Sequence, residues 1–75
     1  MQAVLYSRQG CHLCHDVLAL LRQYGLDVHV VDIDQVPVLR KKYNDCVPVV
    51  EIEGRERFRG PLDERLLRRL LDGSL

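Results

Sequence analysis

The first 33 residues of the chain alternate between two hydrophobic periods, and this alternation restricts the fold more than any other feature of the sequence. A short continuous apolar run at residues 3–6 predicts a buried strand. A helical pattern follows over about residues 12–24 and is ended by Gly25, and a run rich in β-branched residues then occupies 27–33. A helix that connects two strands in this order predicts a right-handed βαβ unit with parallel strands.

A short second helix is predicted where the βαβ unit ends. Asp34 is a residue type that caps helices, and Pro37 lies near the start, where its missing amide hydrogen costs little. Asn44 favours the left-handed conformation that often follows a helix. The pattern therefore predicts a helix over about residues 36–43 with Asp34 as its cap.

The last third of the chain predicts a hairpin followed by a helix. Gly54 separates two strand patterns, 47–53 and 57–59, and indicates a tight antiparallel turn. Asp63 suits the positive end of a last helix, which Gly73 ends. The complete order, β-α-β-α-β-β-α, predicts an α/β fold in which helices flank a four-stranded mixed sheet.

Length and charge restrict the classes of function. With 75 residues, the chain is expected to form a single domain over 1–75. Its 11 basic residues balance its 11 acidic ones, so neither nucleic acid nor an anionic membrane is an expected partner. No stretch approaches the roughly 18 consecutive apolar residues of a membrane span. We expect a monomeric cytoplasmic protein that acts on small molecules or on protein thiols.

Two of the three cysteines define the candidate site, because Cys11-His12-Leu13-Cys14 stands where the first strand gives way to the first helix. There Cys11 meets the free amides and the positive dipole of a helix N-terminus, which favour thiolate over thiol. Cys14 begins the apolar stripe of that helix and should be more enclosed, within disulfide reach of Cys11. A C-x-x-C pair inside a βαβ pattern is typical of a thioredoxin-like redox motif.

This placement predicts dithiol chemistry. The Cys11 thiolate attacks a substrate disulfide, and Cys14 then displaces the reduced substrate and leaves a Cys11–Cys14 bond for an external reductant. His12 has two interpretations of equal weight. When protonated it would stabilise the Cys11 thiolate, or it is an exposed histidine at a helix start with no function.

Residues 6–14 resemble the active-site region of the glutaredoxins, in which a basic residue precedes the first cysteine by three positions. The resemblance extends over almost the whole chain and is to short bacterial glutaredoxin-like proteins. It implies a thioredoxin/glutaredoxin-like fold and reduction of protein disulfides or glutathione mixed disulfides. It also implies that Arg8 contacts a glutathione carboxylate. The chain has no Trp, whereas a thioredoxin proper would show Trp-Cys-Gly-Pro-Cys.

Two further stretches carry the resemblance. Cys46-Val47-Pro48 is similar to the Thr-Val-Pro of glutaredoxins, which implies a cis bond before Pro48 and a backbone edge that receives a thiol compound. Gly60 and Asp63 match the positions that hold the α-amino and carboxylate groups of glutathione. The resemblance implies no tightly bound cofactor, glutathione or a reductase as reductant, and protein disulfides as partners.

Other interpretations of these residues remain open at this point. Cys11 and Cys14, with Cys46 or His15, would suit zinc or an iron–sulfur cluster shared between two chains. Cys46 by itself is more simply a free buried cysteine than a third redox group. His15 and His29 are expected to be ordinary surface or boundary residues. A thioredoxin-fold interaction domain with incidental cysteines is a third hypothesis.

Overall fold

The computed structural model of the protein describes residues 1–73, and its elements follow the predicted order. The strands are β1 (Gln2–Ser7), β2 (Asp27–Asp32), β3 (Val49–Ile52) and β4 (Arg55–Arg59). The helices are α1 (His12–Gln23), α2 (Pro37–Tyr43) and α3 (Glu64–Leu71). Two 3₁₀ turns, Ile33–Gln35 and Asn44–Cys46, stand on either side of α2. None of the helices within residues 1–73 is long and apolar enough to cross a membrane.

The sheet is mixed, as the sequence predicts. Its strand order is β2-β1-β3-β4, in which β1 pairs parallel with β2 and antiparallel with β3, and β3 pairs antiparallel with β4. Helix α1 connects the two parallel strands and so completes the βαβ unit. Strand β1 ends at Ser7, opposite Asp32 of β2, and the loop that leads to the cysteine pair begins there.

Alternate residues of the sheet face two separate cores. Leu5 and Val50 belong to a larger cluster that includes buried residues of α1 and α3. Their sequence neighbours Tyr6 and Val49 belong to a smaller cluster with Tyr43 of α2. Because successive side chains of a strand point to opposite faces, α2 covers the face opposite α1 and α3. Full burial of one Leu or Val is worth about 1.5–3 kcal/mol, so packing on both faces stabilises the sheet.

The hairpin turn is tight, and the two strands of the hairpin begin at other residues than predicted. Glu53 and Gly54 have φ values of +51° and +82°, the pair of positive angles that a two-residue hairpin turn requires. Pairing therefore resumes at once, and β4 begins at Arg55, two residues earlier than predicted. Strand β3 begins at Val49, two residues later than predicted, because Pro48 has no amide hydrogen for a sheet bond.

The predicted Asp34 cap is wrong. Helix α2 begins at Pro37 after Val36, whose side chain makes no capping bond. Asp34 instead lies in the preceding 3₁₀ turn, where its amide donates to Oδ1 of Asp32 at 2.9 Å. Its carboxylate binds the guanidinium of Arg8. A guanidinium offers paired, charge-assisted N–H donors and so outcompetes a backbone amide for this carboxylate.

The other predicted helix ends are confirmed. Asp63 caps α3, and its carboxylate accepts a hydrogen bond from the amide of Arg65 at 2.9 Å. Asn44 follows α2 with a φ of +27°, and Gly25 and Gly73 follow the other two helices, also with positive φ. The local signals in the sequence therefore determine where the helices stop.

Two hydrogen bonds join Tyr24, at the end of α1, to α3, and an ion pair within α3 links the two residues that make them. The hydroxyl of Tyr24 donates to Oε2 of Glu64 at 2.5 Å, and Nη2 of Arg68 donates to the same oxygen at 3.0 Å. Nε of Arg68 also donates to the Tyr24 hydroxyl at 2.8 Å. The bonds from Tyr24 and Arg68 hold the pKa of Glu64 below its ordinary value.

Glu64→Gln is expected to make folding less sensitive to acid. A carboxyl whose pKa is lower in the folded state contributes stability that is fully present above its unfolded pKa, near 4.5, and is lost as the pH falls through the folded pKa. Below about pH 4.5 the free energy of unfolding should therefore fall more steeply in the wild type than in Glu64→Gln. Urea denaturation over a series of acid pH values measures both slopes, and equal slopes would contradict this role of Glu64.

Candidate active site

Cys11 is positioned by the turn that joins β1 to α1. Gly10 has a φ of +77°, a left-handed conformation that glycine adopts without steric cost, and it turns the chain into the helix. Cys11 then caps α1, and its Sγ accepts a hydrogen bond from the backbone N–H of Cys14 at 3.1 Å. The sulfur therefore lies at the positive end of the helix dipole.

Cys11 and Cys14 form a disulfide, with their Cα atoms 5.2 Å apart. The two residues differ in exposure, since Cys14 is 4% exposed whereas Cys11 is only partly buried. A substrate can therefore reach the sulfur of Cys11 more readily than that of Cys14. This is the asymmetry that distinguishes an attacking cysteine from a resolving one.

Arg8, three residues before Cys11, is bound by two acceptors from another part of the chain. Its Nη2 and Nε donate to Oδ1 and Oδ2 of Asp34 at 2.7 and 3.2 Å, and its Nη1 donates to the carbonyl oxygen of Asn44 at 3.1 Å. The hydrogen bonds between the two side chains raise the pKa of Arg8 and lower that of Asp34. These bonds tie the loop before Cys11 to the turns on both sides of α2.

The sequence alone does not predict this role of Asp34. The residue lies 26 positions from Arg8, so no local pattern could connect the two. An aspartate ahead of a short helix also carries an obvious alternative interpretation as a cap. The one signal that could have found the pair is the strand topology, because Arg8 and Asp34 both follow the carboxyl ends of neighbouring parallel strands.

The Val47–Pro48 peptide bond is cis, the isomer that the resemblance implies. Pro48 is buried, and its carbonyl oxygen accepts a hydrogen bond from the amide of Gly60 at 2.7 Å. Two of the positions singled out in the sequence, Pro48 and Gly60, therefore meet at the start of β3. Asp63 lies three residues further along, where it caps α3.

The three histidines, His12, His15 and His29, are all exposed. Cys46 is also exposed, so the prediction that it is buried is wrong. The reason is its position in an exposed 3₁₀ turn, where its Sγ accepts a hydrogen bond from Nη1 of Arg59 at 3.7 Å. Within the described part of the chain, no three His, Cys, Asp or Glu side chains gather closely enough to hold a metal ion. Neither Cys46 nor His15 therefore completes such a site with the cysteine pair.

A cavity of about 340 Å³ opens beside the disulfide. Its lining comes from α1, from the ends of β1 and β2, and from the loop between β1 and α1: Leu5, Ser7, Arg8, Gln9, Gly10, Cys14, His15, Leu18, Val30 and Asp32. Val30 lies on the edge strand β2 and is 42% exposed. The cavity therefore offers an apolar surface and groups of both charges next to Cys14.

Comparison with known proteins places this site in a family. Residues 2–72 match the family described as Glutaredoxin-like domain (DUF836). An uncharacterized protein of Mycobacterium tuberculosis is 33% identical over 76 residues, which cover 89% of this chain and 78% of that protein.

Solved structures share the fold of this chain. A structural-genomics target protein from X. campestris is 35% identical with a TM-score of 0.81, covering 97% of this chain and 99% of that one. The glutaredoxin-like protein NrdH-redoxin from Escherichia coli shares the fold, with a TM-score of 0.70 at 24% identity and coverage of 93% and 95%. The chain therefore belongs to the glutaredoxin-like domain family and has a thioredoxin-like fold, with Cys11 and Cys14 as its C-x-x-C pair.

Proposed function

We propose that the protein is a thiol–disulfide oxidoreductase that reduces protein disulfides or glutathione mixed disulfides. The observation that carries this proposal is the Cys11–Cys14 disulfide at the start of α1, in which the more exposed sulfur caps the helix. In the reduced protein, a thiolate at this position gains from the helix dipole and from the N–H of Cys14. Membership of the glutaredoxin-like family supports the same chemistry.

The proposed cycle begins with the Cys11 thiolate attacking one sulfur of the substrate disulfide. The substrate S–S bond breaks, a mixed disulfide forms through Cys11, and the departing thiolate takes up a proton. Cys14, having lost its proton, then attacks Sγ of Cys11 and releases the second substrate thiol as the Cys11–Cys14 bond closes. Two electrons and two protons pass to the substrate in this cycle. Glutathione or a reductase is the proposed donor that reduces the Cys11–Cys14 disulfide back to the dithiol.

The remaining site residues have proposed binding roles. The substrate backbone would lie against the Val47–Pro48 peptide, which Gly60 supports through its hydrogen bond to the Pro48 carbonyl. Asp63 is the proposed contact for a charged group of the thiol compound, whereas Arg8 is held by Asp34. His12, exposed beside Cys11, would stabilise the thiolate when it is protonated. The proposed setting is the cytoplasm, where thiols are kept reduced, with the protein acting as a monomer.

Equilibration of the protein with glutathione redox buffers, followed by quenching and mass mapping, tests the proposal. We expect a Cys11–Cys14 disulfide that opens and closes reversibly and from which a reduction potential can be read. In the fully reduced protein, iodoacetamide at slightly acid pH should modify Cys11 before Cys46. Cys46 serves as an internal control because it is exposed but stands in a 3₁₀ turn rather than at the start of an α-helix.

Two results would overturn the proposal. One is a pair of cysteines that neither bond to each other nor exchange with glutathione under any buffer ratio. The other is stoichiometric zinc or iron in anaerobically purified reduced protein, combined with no disulfide reductase activity. That second result would support the metal-binding alternative.

A further inference from the structure

We propose that Asp34 sets the substrate class of the redox site: by pairing with Arg8, it makes the site favour protein disulfides over glutathione and other anionic thiols. This inference rests on the proposed oxidoreductase function and deepens it. It concerns a residue that lies outside the C-x-x-C pair and outside the binding positions named above. The observations that carry it are the hydrogen bonds of Arg8 and the charges in the cavity beside the disulfide.

The first step is that the Arg8 guanidinium already donates hydrogen bonds to groups of the protein. A guanidinium has five N–H donors, and three separate nitrogens of Arg8 already donate, two of them to the carboxylate of Asp34 and one to the carbonyl oxygen of Asn44. The ion pair with Asp34 is bidentate and is closed by a 2.7 Å contact. The positive charge of Arg8 is therefore neutralised by the Asp34 carboxylate, in the geometry that a guanidinium prefers for a carboxylate.

The second step is the charge of the cavity that reaches Cys14. Its lining includes two basic side chains, Arg8 and His15, and one acidic side chain, Asp32. With Arg8 paired to Asp34, the cavity lining also contains the Asp32 carboxylate and, among the residues that the structure describes, presents no unpaired guanidinium or ammonium group. An anionic ligand therefore finds no uncompensated Arg or Lys among these lining residues.

The third step is the chemistry of the competing thiols. Glutathione carries two carboxylates and one ammonium group, so it is a net anion near neutral pH. To bind Arg8 through a carboxylate, it would have to displace Asp34 from a bidentate pair, and one ion pair would merely replace another. A protein segment needs no such cation, because backbone hydrogen bonds and apolar contacts hold it. The cavity offers apolar contacts through Leu18 and Val30.

Asp34→Asn isolates the charge of this residue. Asparagine keeps the size of the side chain and leaves the amide of residue 34 free to donate to Asp32, the bond that fixes the turn. Arg8 would keep its bond to the Asn44 carbonyl and gain an uncompensated positive charge. The matched control is Asp16→Asn, which removes one charge from an exposed position of α1.

The test compares two reactions of each variant. One is glutathione-dependent reduction of the mixed disulfide of glutathione and 2-hydroxyethanethiol, and the other is dithiothreitol-dependent reduction of a protein disulfide. In Asp34→Asn the KM for glutathione should fall by about five- to tenfold, where tenfold corresponds to about 1.4 kcal/mol of binding free energy. The ratio of the glutathione-dependent rate to the dithiothreitol-dependent rate should rise. Asp16→Asn should leave both the KM and the ratio as in the wild type. Arg8→Gln added to Asp34→Asn should cancel the gain.

A second measurement does not depend on any variant. Glutathione dimethyl ester has no free carboxylate, so a site with a free cation would bind it worse than glutathione. In the wild type, the KM for the ester should be no higher than that for glutathione.

The outcomes separate this inference from the proposed function. A wild type that reduces neither substrate defeats the oxidoreductase proposal itself. A wild type that is active, but whose KM for glutathione is unchanged in Asp34→Asn, overturns only the role of Asp34. A KM for the ester tenfold above that for glutathione would also overturn it, because it would show that a cation of the wild-type site receives a carboxylate.

Discussion

Cys11→Ser is expected to lower the rate of disulfide reduction by at least about 10³-fold, because loss of the nucleophile removes the step on which all later ones depend. A serine hydroxyl at the start of α1 still accepts the hydrogen bond that the Cys14 amide donates to Sγ, so the helix cap is preserved. The protein should therefore remain folded, and its loss of activity would report chemistry alone. Reduction of a protein disulfide in the presence of dithiothreitol, with folding checked by circular dichroism, measures the effect.

Cys14→Ser should have a different signature. The first step survives in this variant, but the resolving thiol is missing, so the substrate should stay attached to Cys11 as a mixed disulfide. Mass spectrometry after mixing with a substrate disulfide detects this adduct. The matched control is Cys46→Ser, the same substitution at an exposed free cysteine, which should release the substrate as the wild type does. A Cys11→Ser protein with full activity would contradict the assignment of the nucleophile.

The path of the chain could be predicted from the sequence because its signals are local. Helical spacing and a following glycine place α1, β-branched residues place β2, and the two residues of the hairpin turn join β3 to β4. Even the displaced strand ends have local causes, since Pro48 lacks an amide hydrogen and the turn at Gly54 is short. The cysteine pair is equally predictable, because a C-x-x-C motif at a strand–helix junction indicates which two cysteines pair and that they lie at the start of a helix.

The sequence does not predict which polar side chains pair when they are far apart along the chain. The family resemblance predicts a ligand contact for Arg8 and the local pattern predicts a helix cap for Asp34, and neither predicts that the structure joins the two across 26 positions. Cys46 is predicted to be buried because cysteine usually is, but it stands in an exposed turn beside Arg59. In each case the side chain has several acceptable partners locally, and only the tertiary arrangement decides which partner is present.

Tyr43 links the fold to the site, and its loss is expected to have the largest effect on stability. It is among the largest fully buried side chains, at 1% exposure, and its ring centroid lies 4.9 Å from that of Tyr6. It packs with Ile33 and Val49, which makes it the main contribution of α2 to the smaller core. The chain continues from it directly into Asn44, whose carbonyl holds Arg8, so Tyr43 also supports the loop before the cysteine pair.

Tyr43→Ala should lower the free energy of unfolding by about 3–5 kcal/mol, the usual cost of truncating a buried aromatic ring. A domain of this length has a total of only about 4–11 kcal/mol, so a large part of the stability would be lost. Tyr43→Phe is the matched control, since it keeps the ring and its packing and should cost about 1 kcal/mol or less. Urea denaturation of the oxidised proteins measures both.

An alanine variant within about 1 kcal/mol of the wild type would mean that the smaller core contributes little, and that α1 and α3 alone hold the sheet. A large loss in Tyr43→Ala and a small one in Tyr43→Phe would show that the packing of the Tyr43 ring on this face of the sheet is necessary for the stability of the fold.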